Sequence, residues 1–336
     1  MSSNGVLRSS VFAMSFISSD DKVREDAREA VLKKGEPREL PFVTPTGTKL
    51  SATQFHPRRH KKLRDAIIDI NEYVAEAAAA GSPFVAFPEL TGLSLLGVFP
   101  RFTKIIAALR EDISDISSRK GLGYELASQT QGCIGEIFFN AFSEIARGNR
   151  MLIAAGGFYV TEGRTLRNRQ YLFSETGEVL IYQDKLIPSP LESELGVMPG
   201  DEITFADTRI GRMAMLTASC ASHYEPFAAS AALGCRMVVA GASPFGEDIS
   251  LLRCRAQEQG LCVVSPGLKG GEDFGLSFDT APVIYAPRAT LRTRDGIAPA
   301  GKGALGITAR VDLSGTTALD HYSSDRNPAF FAKMLK

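Results

Sequence analysis

The chain has 336 residues, with 38 basic and 38 acidic side chains and a formal net charge of zero. This length fits one large α/β domain, and basic residues spread along the chain exclude the charge footprint of a nucleic-acid-binding protein. Five scattered cysteines without metal-ligand spacing indicate reduced thiols, no metal and no cofactor, and no run reaches the roughly 18 apolar residues of a membrane helix. We therefore expect a cytoplasmic protein, off the membrane, whose partner is a small molecule.

The first 48 residues differ from the rest of the chain. They are charged, and the segment KKGEPRELPFVTPTGTK is rich in proline and other turn-forming residues. We predict an irregular N-terminal extension over residues 1–48 and a single domain over residues 49–336.

A regular pattern begins at residue 49. KLSATQF predicts a strand, and the segment KKLRDAIIDINEYVAEAAAAG predicts a helix that ends near its last glycine. Its apolar residues recur at helical spacing: Leu63, Ile67, Ile70 and Val74. FVAFPEL then predicts a short strand that is buried on both faces.

The same alternation continues to the end of the chain. Helices are predicted at EIFFNAFSEIARGN, PFAASAALG and SLLRCRAQEQG, and strands at MLIAAGGFYV, GRMAML, RMVVAGA, LCVVSP, PVIYA and LGITARVDL. RQYLFSETGEVLIYQDK predicts a hairpin with a Thr-Gly turn. Alternating strands and helices with added hairpins favour a layered α/β domain of mixed sheets.

Glu89 lies at the end of the short apolar strand predicted at FVAFPEL. A carboxylate in such a place must be hydrogen-bonded, ion-paired or shifted in pKa, and carboxylates of this kind are candidate general bases. The alternative is a glutamate that turns into solvent at the end of a strand.

A second polar feature follows the hairpin, in YQDKLIPSPLE. Lys185 leaves a sheet there and could stabilise a developing oxyanion, although a solvated lysine is the alternative. Glu192 follows in a proline-rich loop, either as a partner of that lysine or as a surface charge.

The stretch LTASCASHYEP joins a predicted strand to a predicted helix. Such elbows present a side chain at the carboxyl end of a sheet, where nucleophiles are commonly placed. Cys220 lies in the elbow with His223 and Glu225 nearby, which suggests a Cys-His pair. The alternative is that Cys220 fills apolar space and His223 is a loop residue.

Taken in order, FVAFPEL, YQDKLIPSPLE and the segment from Gly211 to Gly234 resemble the nitrilase superfamily of carbon-nitrogen hydrolases. LSATQFHP, NRQYLFSETGEVLIYQDK, RCRAQEQGLCVV and DRNPAFF extend the resemblance from about Lys49 to about Leu335, and QDKLIPSPLE is most similar to the amidase-type branch. The resemblance implies a four-layer α-β-β-α sandwich with mixed sheets, a small linear amide, carbamoyl compound or nitrile as substrate, and at least a homodimer.

The resemblance also implies residue roles. Glu89 corresponds to the general base, Lys185 to the group that stabilises the oxyanion, and Glu192 to a further carboxylate that orients them. In the family a cysteine thiolate attacks the amide or nitrile carbon, ammonia or an amine leaves, and water hydrolyses the thioester.

The nucleophile position departs from the family pattern. The family cysteine lies seven residues after the glycine that opens its strand and sixteen before the glycine that ends the next helix. Both counts lead to Ala218. Three explanations stay open: a deliberate replacement of the cysteine, natural loss in a pseudoenzyme that still binds an amide-like metabolite, and a remodelled elbow in which Cys220 is the nucleophile.

The remaining features are interpreted as structural. Cys133, Cys235, Cys254 and Cys262 are expected to fill the core. Asn168 and Arg169 are expected to serve packing or a loop hydrogen bond. The loops TGLSLLGVFPRF and GLKGGEDFGLSF are expected to shape the pocket, and their aromatic residues either line that pocket or face the core: Phe99, Phe102, Phe274 and Phe278.

Overall fold

A computed structural model of the chain describes residues 3–15, 18–35, 43–105, 107, 121–243, 249–288, 290 and 295–314. The α-helices of these residues follow in chain order: α1 Ser3–Ser15, α2 Asp20–Leu32, α3 Leu63–Ala79, α4 Leu122–Asn149, α5 Pro190–Glu194, α6 Glu225–Ala232 and α7 Leu252–Gln259.

The strands build two sheets. Their bounds are β1 Thr48–Phe55, β2 Phe84–Ala86, β3 Leu152–Glu162, β4 Thr165–Phe173, β5 Val179–Asp184, β6 Phe205–Thr208, β7 Gly211–Thr217, β8 Met237–Gly241, β9 Cys262–Ser265, β10 Gly267–Gly270, β11 Phe278–Thr280, β12 Val283–Tyr285, β13 Ala300–Lys302 and β14 Gly306–Val311.

Both sheets mix parallel and antiparallel pairs. Within the described residues the larger sheet has nine strands, in the order β11-β10-β1-β2-β3-β4-β5, with β14 paired to β1 and β13 paired to β14. The smaller sheet has five strands in the same part of the chain, in the order β12-β9-β8-β7-β6. Within it β7, β8 and β9 run parallel, so their carboxyl ends meet at one edge.

Three apolar layers explain why the sheets stack between helices. Strand side chains alternate between faces. Met237 and Val239 of β8 therefore pack between the two sheets, while Val238 and Ala240 pack under α6 and α7. A third layer lies between the larger sheet and helices α2, α3 and α4. The architecture is the expected four-layer α-β-β-α sandwich, and burial on both faces explains the nearly continuous apolar runs of the strands.

The N-terminal extension corrects one expectation, because it contains the helices α1 and α2 instead of irregular chain. The charged residues of α2 hide an apolar stripe of Val23, Ala27 and Ala30, which is buried against the domain. Arg28 also donates two hydrogen bonds of 3.0 Å to the buried carboxylate of Glu144 on α4. The domain boundary at residue 48 stays a prediction.

The other predicted elements are present, with shifted ends. The strand at FVAFPEL stops at Ala86, and α4 begins 14 residues before the predicted segment, which starts at Glu136. Cys133, Cys235 and Cys262 are buried as expected, but Cys254 is exposed, so its assignment to the core was wrong. No helix in the described ranges is long and apolar enough to cross a membrane. The segment DRNPAFF lies outside the described residues.

Candidate active site

Glu89 lies just beyond the end of β2, where the backbone is tightly confined. Its amide N donates to the carbonyl of Ala242, 3.1 Å away, just after β8 of the other sheet. A Cβ on Gly156, whose φ is +64°, would lie 2.1 Å from the carbonyl oxygen of Pro88. Leu90 has a φ of 58°, an uncommon conformation for a bulky residue. These contacts fix the carboxylate of Glu89 at the junction of the two sheets, with 1 % of the residue exposed.

Lys185 directly follows β5, and both of its main-chain polar groups are bonded. Its amide N donates to the carbonyl of Asn168 at 2.8 Å, and its carbonyl accepts from the amide N of Gly200 at 2.8 Å. The Nζ lies 2.9 Å from Glu89 Oε1 and 2.8 Å from Glu192 Oε2. All three charged side chains are fully buried. The structure thus brings together the three polar residues that the sequence singled out.

Glu192 is the most strongly held member of this group. The Ser189 hydroxyl caps the N-terminus of α5, and the Glu192 side chain accepts from the Ser189 amide N in return, 2.8 Å away. Tyr159 Oη, Asn168 Nδ2 and Lys185 Nζ supply further donors. Burial raises the pKa of Glu192, but the charge of Lys185 and these hydrogen bonds outweigh it, so the pKa lies below its usual value.

Asn168 is the residue whose importance the sequence did not indicate. Its fully buried Nδ2 lies 2.7 Å from Glu89 Oε1 and 2.8 Å from Glu192 Oε1. Tyr159, also missed, contacts the same Glu192 oxygen at 3.1 Å. The available signal was the alternation in β4, where the polar residues Asn168 and Gln170 lie on the same face as the buried apolar residues Leu166 and Leu172.

Ala218 occupies the elbow of the smaller sheet. It follows Thr217, the last residue of β7, and begins a 3-10 helix over Ala218–Ser222. Thr217 is in register with Gly241, and a Cβ on Gly241 would come within 3.0 Å of the Glu89 amide N. The β7-β8 edge therefore places Ala218 on the side of the sheet where Glu89 is held. Only 1 % of Ala218 is exposed.

Cys220 has a different environment from Ala218. It is completely buried in the apolar layer under α6 and α7, together with Phe227 and Leu252. Burial raises the pKa of its thiol to about 11, although hydrogen bonds with Thr217 partly counteract this. His223 is exposed at the surface. This arrangement does not provide the Cys-His pair that the sequence suggested, and the thiol is protonated at neutral pH.

The charge balance of the buried group defines what it can do. Two carboxylates share one ammonium, so the group carries one net negative charge when both are ionised. Uptake of one proton neutralises it, and charge burial in a dehydrated site favours that change. Because the pKa of Glu192 is lowered, Glu192 is the carboxylate that stays ionised. The arrangement holds two carboxylates and a fixed cation together in one fully buried site.

The two loops predicted to shape the pocket pack against each other. The rings of Phe102 and Phe274 meet edge to face with centroids 5.0 Å apart, and Phe99 and Phe102 are buried. Asp273 accepts a hydrogen bond of 2.9 Å from the amide N of Arg59. Phe278 contacts the apolar layer beneath the helices. These aromatic residues hold the loops together, and Phe99 and Phe278 pack on the core.

Comparisons with known proteins agree with this architecture. An amidase from Nesterenkonia sp. AN1, with acrylamide added at its active-site cysteine, superimposes with a TM-score of 0.56 at 20% identity, over 85% of this chain and 99% of the amidase. Nit3 of Saccharomyces cerevisiae, from branch 10 of the nitrilase superfamily, gives 0.59 at 15% identity, over 87% and 99%.

A second Nesterenkonia structure, with an alanine in place of a cysteine, gives a TM-score of 0.57 at 20% identity, over 89% of this chain and 99% of that one. No curated protein matches the sequence. The family profile described as "Carbon-nitrogen hydrolase" matches residues 52–287, more than half of the chain. This protein therefore belongs to the carbon-nitrogen hydrolase family.

Proposed function

We propose that this protein has the amidase-type site of a Glu-Lys-Cys hydrolase in which Ala218 occupies the position of the nucleophile. The observation that carries the proposal is the buried ammonium of Lys185, held between Glu89 at 2.9 Å and Glu192 at 2.8 Å. Burying one cation and two carboxylates is costly, and clusters of this kind are typical of functional sites. The substrate class is a small linear amide, a carbamoyl compound or a nitrile.

In the complete reaction on an amide, a thiol at position 218 transfers its proton to Glu89 and its sulfur bonds to the amide carbon. Lys185 stabilises the oxyanion that forms. The C–N bond then breaks, and the nitrogen leaves as ammonia with the proton from Glu89. Water, deprotonated by Glu89, attacks the thioester, which releases the acid and restores the thiol. Glu192, with four donors, orients Lys185 and stays ionised.

A methyl group cannot form the C–S bond, so the chain with Ala218 retains the proton acceptor and the cation but lacks the covalent route. The position of Cys220 in an apolar layer, with its pKa raised to about 11, supports position 218 over Cys220 as the nucleophile position. The active Nesterenkonia cysteine that accepts acrylamide supports a thiol mechanism for this fold.

The test is ammonia release from a panel of amides, carbamoyl compounds and nitriles by the given chain and by its Ala218→Cys variant. We expect release from the variant alone, larger by several orders of magnitude, because the nucleophile carries most of the catalysis. Ala218→Cys combined with Glu89→Gln is the matched control and is expected to be inactive. A folded Ala218→Cys protein that is inactive on the whole panel contradicts the proposal.

A second candidate is a pseudoenzyme that binds an amide-like metabolite without turnover. It is favoured by the intact buried cluster beside an alanine. Thermal stabilisation by a panel compound, with no product from either the given chain or Ala218→Cys, would support this candidate instead.

We also propose a homodimer or higher homo-oligomer in the cytoplasm. Exposed apolar residues on and beside α6 and α7, namely Tyr224, Leu233 and Leu251, support self-association. Light scattering of the purified chain tests it, and a monomer at micromolar concentration would contradict it.

A further inference from the structure

The side-chain amide of Asn168 lies between the two carboxylates of the site. A primary amide has two N–H groups, and the Nδ2 of Asn168 has two acceptors, Glu89 Oε1 at 2.7 Å and Glu192 Oε1 at 2.8 Å. The reversed amide would place its oxygen against two carboxylate oxygens, which repel it. Both acceptors therefore fix the orientation of this amide, and the amide in turn fixes the separation of the carboxylates.

Asn168 also holds the cation of the same group through its main chain. Its carbonyl accepts the amide N of Lys185 at 2.8 Å, at the end of the β4-β5 pairing. One residue thus ties down the lysine backbone and both carboxylates. Glu89 Oε1 accepts hydrogen bonds from Asn168 Nδ2 and from Lys185 Nζ, which is 2.9 Å away. The bond from Asn168 therefore holds this oxygen in place beside the ammonium group.

We propose that Asn168 is a positioning residue that gives the two carboxylates different roles through its two hydrogen bonds. Its first N–H keeps Glu192 ionised by adding to the donors that lower the pKa of that residue. Its second N–H holds Glu89 against Lys185, in the place where the reaction needs a proton acceptor. The assignment rests on the proposed function for the role of Glu89, whereas the effect on Glu192 is a property of the folded chain itself.

The first test uses the given chain and needs no activity. A carboxylate whose pKa is lowered on folding stabilises the protein above its unfolded pKa, and this stability is lost as the pH falls through the folded pKa. Asn168→Leu removes one hydrogen-bond donor from each carboxylate, so the folded pKa of Glu192 rises. The acid limb is the fall of the melting temperature at low pH. In Asn168→Leu we expect this fall to begin at a pH on the order of 0.5 to 1 unit higher than in the given chain.

Gln170→Leu is the matched control. Gln170 is a buried amide on the same face of β4, two residues along, and it donates to the carbonyl of Leu216 at 3.3 Å rather than to a carboxylate. This variant loses stability at all pH values but keeps the acid limb of the given chain. If the acid limbs of Asn168→Leu and Gln170→Leu coincide, the proposal is wrong.

Asn168→Ser serves if the leucine variant does not fold. The hydroxyl is smaller and keeps one donor, so its acid limb is expected between those of the given chain and the leucine variant, and a limb identical to that of the given chain contradicts the proposal. Both measurements distinguish a positioning role from a packing role, since packing does not depend on pH.

The second test is made in the Ala218→Cys background. Adding Asn168→Leu is expected to lower kcat about tenfold relative to any change in KM, and to shift the pH profile of ammonia release. Adding Gln170→Leu is expected to leave that pH profile unchanged. An unshifted profile for Asn168→Leu contradicts the proposal. If Ala218→Cys is inactive but the acid limb of the given chain shifts with Asn168→Leu, the positioning role stands and the proposed hydrolase function fails.

Discussion

The charged cluster and the elbow lie at the same edge of the sandwich but differ in character. The cluster of Glu89, Lys185 and Glu192 is ionic and fully buried, with hydrogen bonds to Glu89 Oε1 and to both carboxylate oxygens of Glu192. The elbow carries a methyl group at Ala218 and a thiol that is buried in an apolar layer at Cys220. A buried ionic group often lowers the free energy of unfolding relative to well-packed apolar residues, so stability alone does not explain why the cluster is present. Under the proposed function, the comparison teaches that the groups that would move protons are all present, whereas the group that would bond to carbon is replaced by a methyl group.

Removal of the buried ammonium of Lys185 is expected to have the largest effect on the stability of the charged cluster. Lys185→Met leaves Glu89 and Glu192 buried without a counter-ion, so the free energy of unfolding is expected to fall by about 3 kcal/mol or more near neutral pH. Because protonation relieves the repulsion, the deficit shrinks as the pH falls. Urea unfolding measures both effects.

Lys302→Met is the control for that substitution. Lys302 is exposed on β13, so its replacement is expected to change stability by less than about 0.5 kcal/mol. Equal losses for the two variants would show that the buried cluster is not special.

The second-largest effect on stability is expected from a substitution that disturbs the tightly packed backbone around Glu89. Gly156→Ala places a Cβ 2.1 Å from the carbonyl oxygen of Pro88 at a φ of +64°, so the Glu89 segment must move. We expect a loss of roughly 2–3 kcal/mol in the free energy of unfolding, and lower ammonia release when it is combined with Ala218→Cys.

Gly163→Ala separates the backbone effect from the contact. Gly163 has a similar φ of +59°, but a Cβ there meets nothing within 4 Å. Its expected loss is about 1 kcal/mol with ammonia release retained. If Gly156→Ala costs no more than this, the close packing around Pro88 does not constrain Glu89.

Thiol reactivity gives the smallest effect and sharpens the description of the elbow. Ellman's reagent is expected to label exposed Cys254 rapidly in the folded chain and to reach Cys220 only on unfolding, because the thiol is buried and its pKa is about 11. Cys254→Ser is the control that removes the fast phase. Fast labelling of Cys220 in the folded Cys254→Ser protein would contradict the described elbow.

Much of the fold follows from local patterns, since strands and helices have different apolar periods. The exceptions needed information from the whole molecule. The apolar stripe of α2 is built from Val23 and two alanines, too weak to stand out among its charges. Cys254 lies half a turn from Leu252 and Ala256, which face the sheet, so its exposure depends on a helix face that composition does not reveal.

The candidate site was predictable in part for the same reason. Glu89, Lys185 and Glu192 occur in segments that interrupt apolar strands or follow them, and each stands out in the sequence. Asn168 does not, because its two acceptors are 79 and 24 residues away along the chain and meet only when the strands assemble. The roles of these residues in a reaction stay predictions until variants are measured.

The most direct measurement is ammonia release by Ala218→Cys in a chain that also carries Cys220→Ala, so that position 218 holds the only thiol of the elbow. The account predicts release from amides by this double variant at the rate of Ala218→Cys alone, and none from Cys220→Ala alone. A folded double variant that is inactive, beside a given chain whose activity disappears with Cys220→Ala, would contradict the account and assign the chemistry to Cys220.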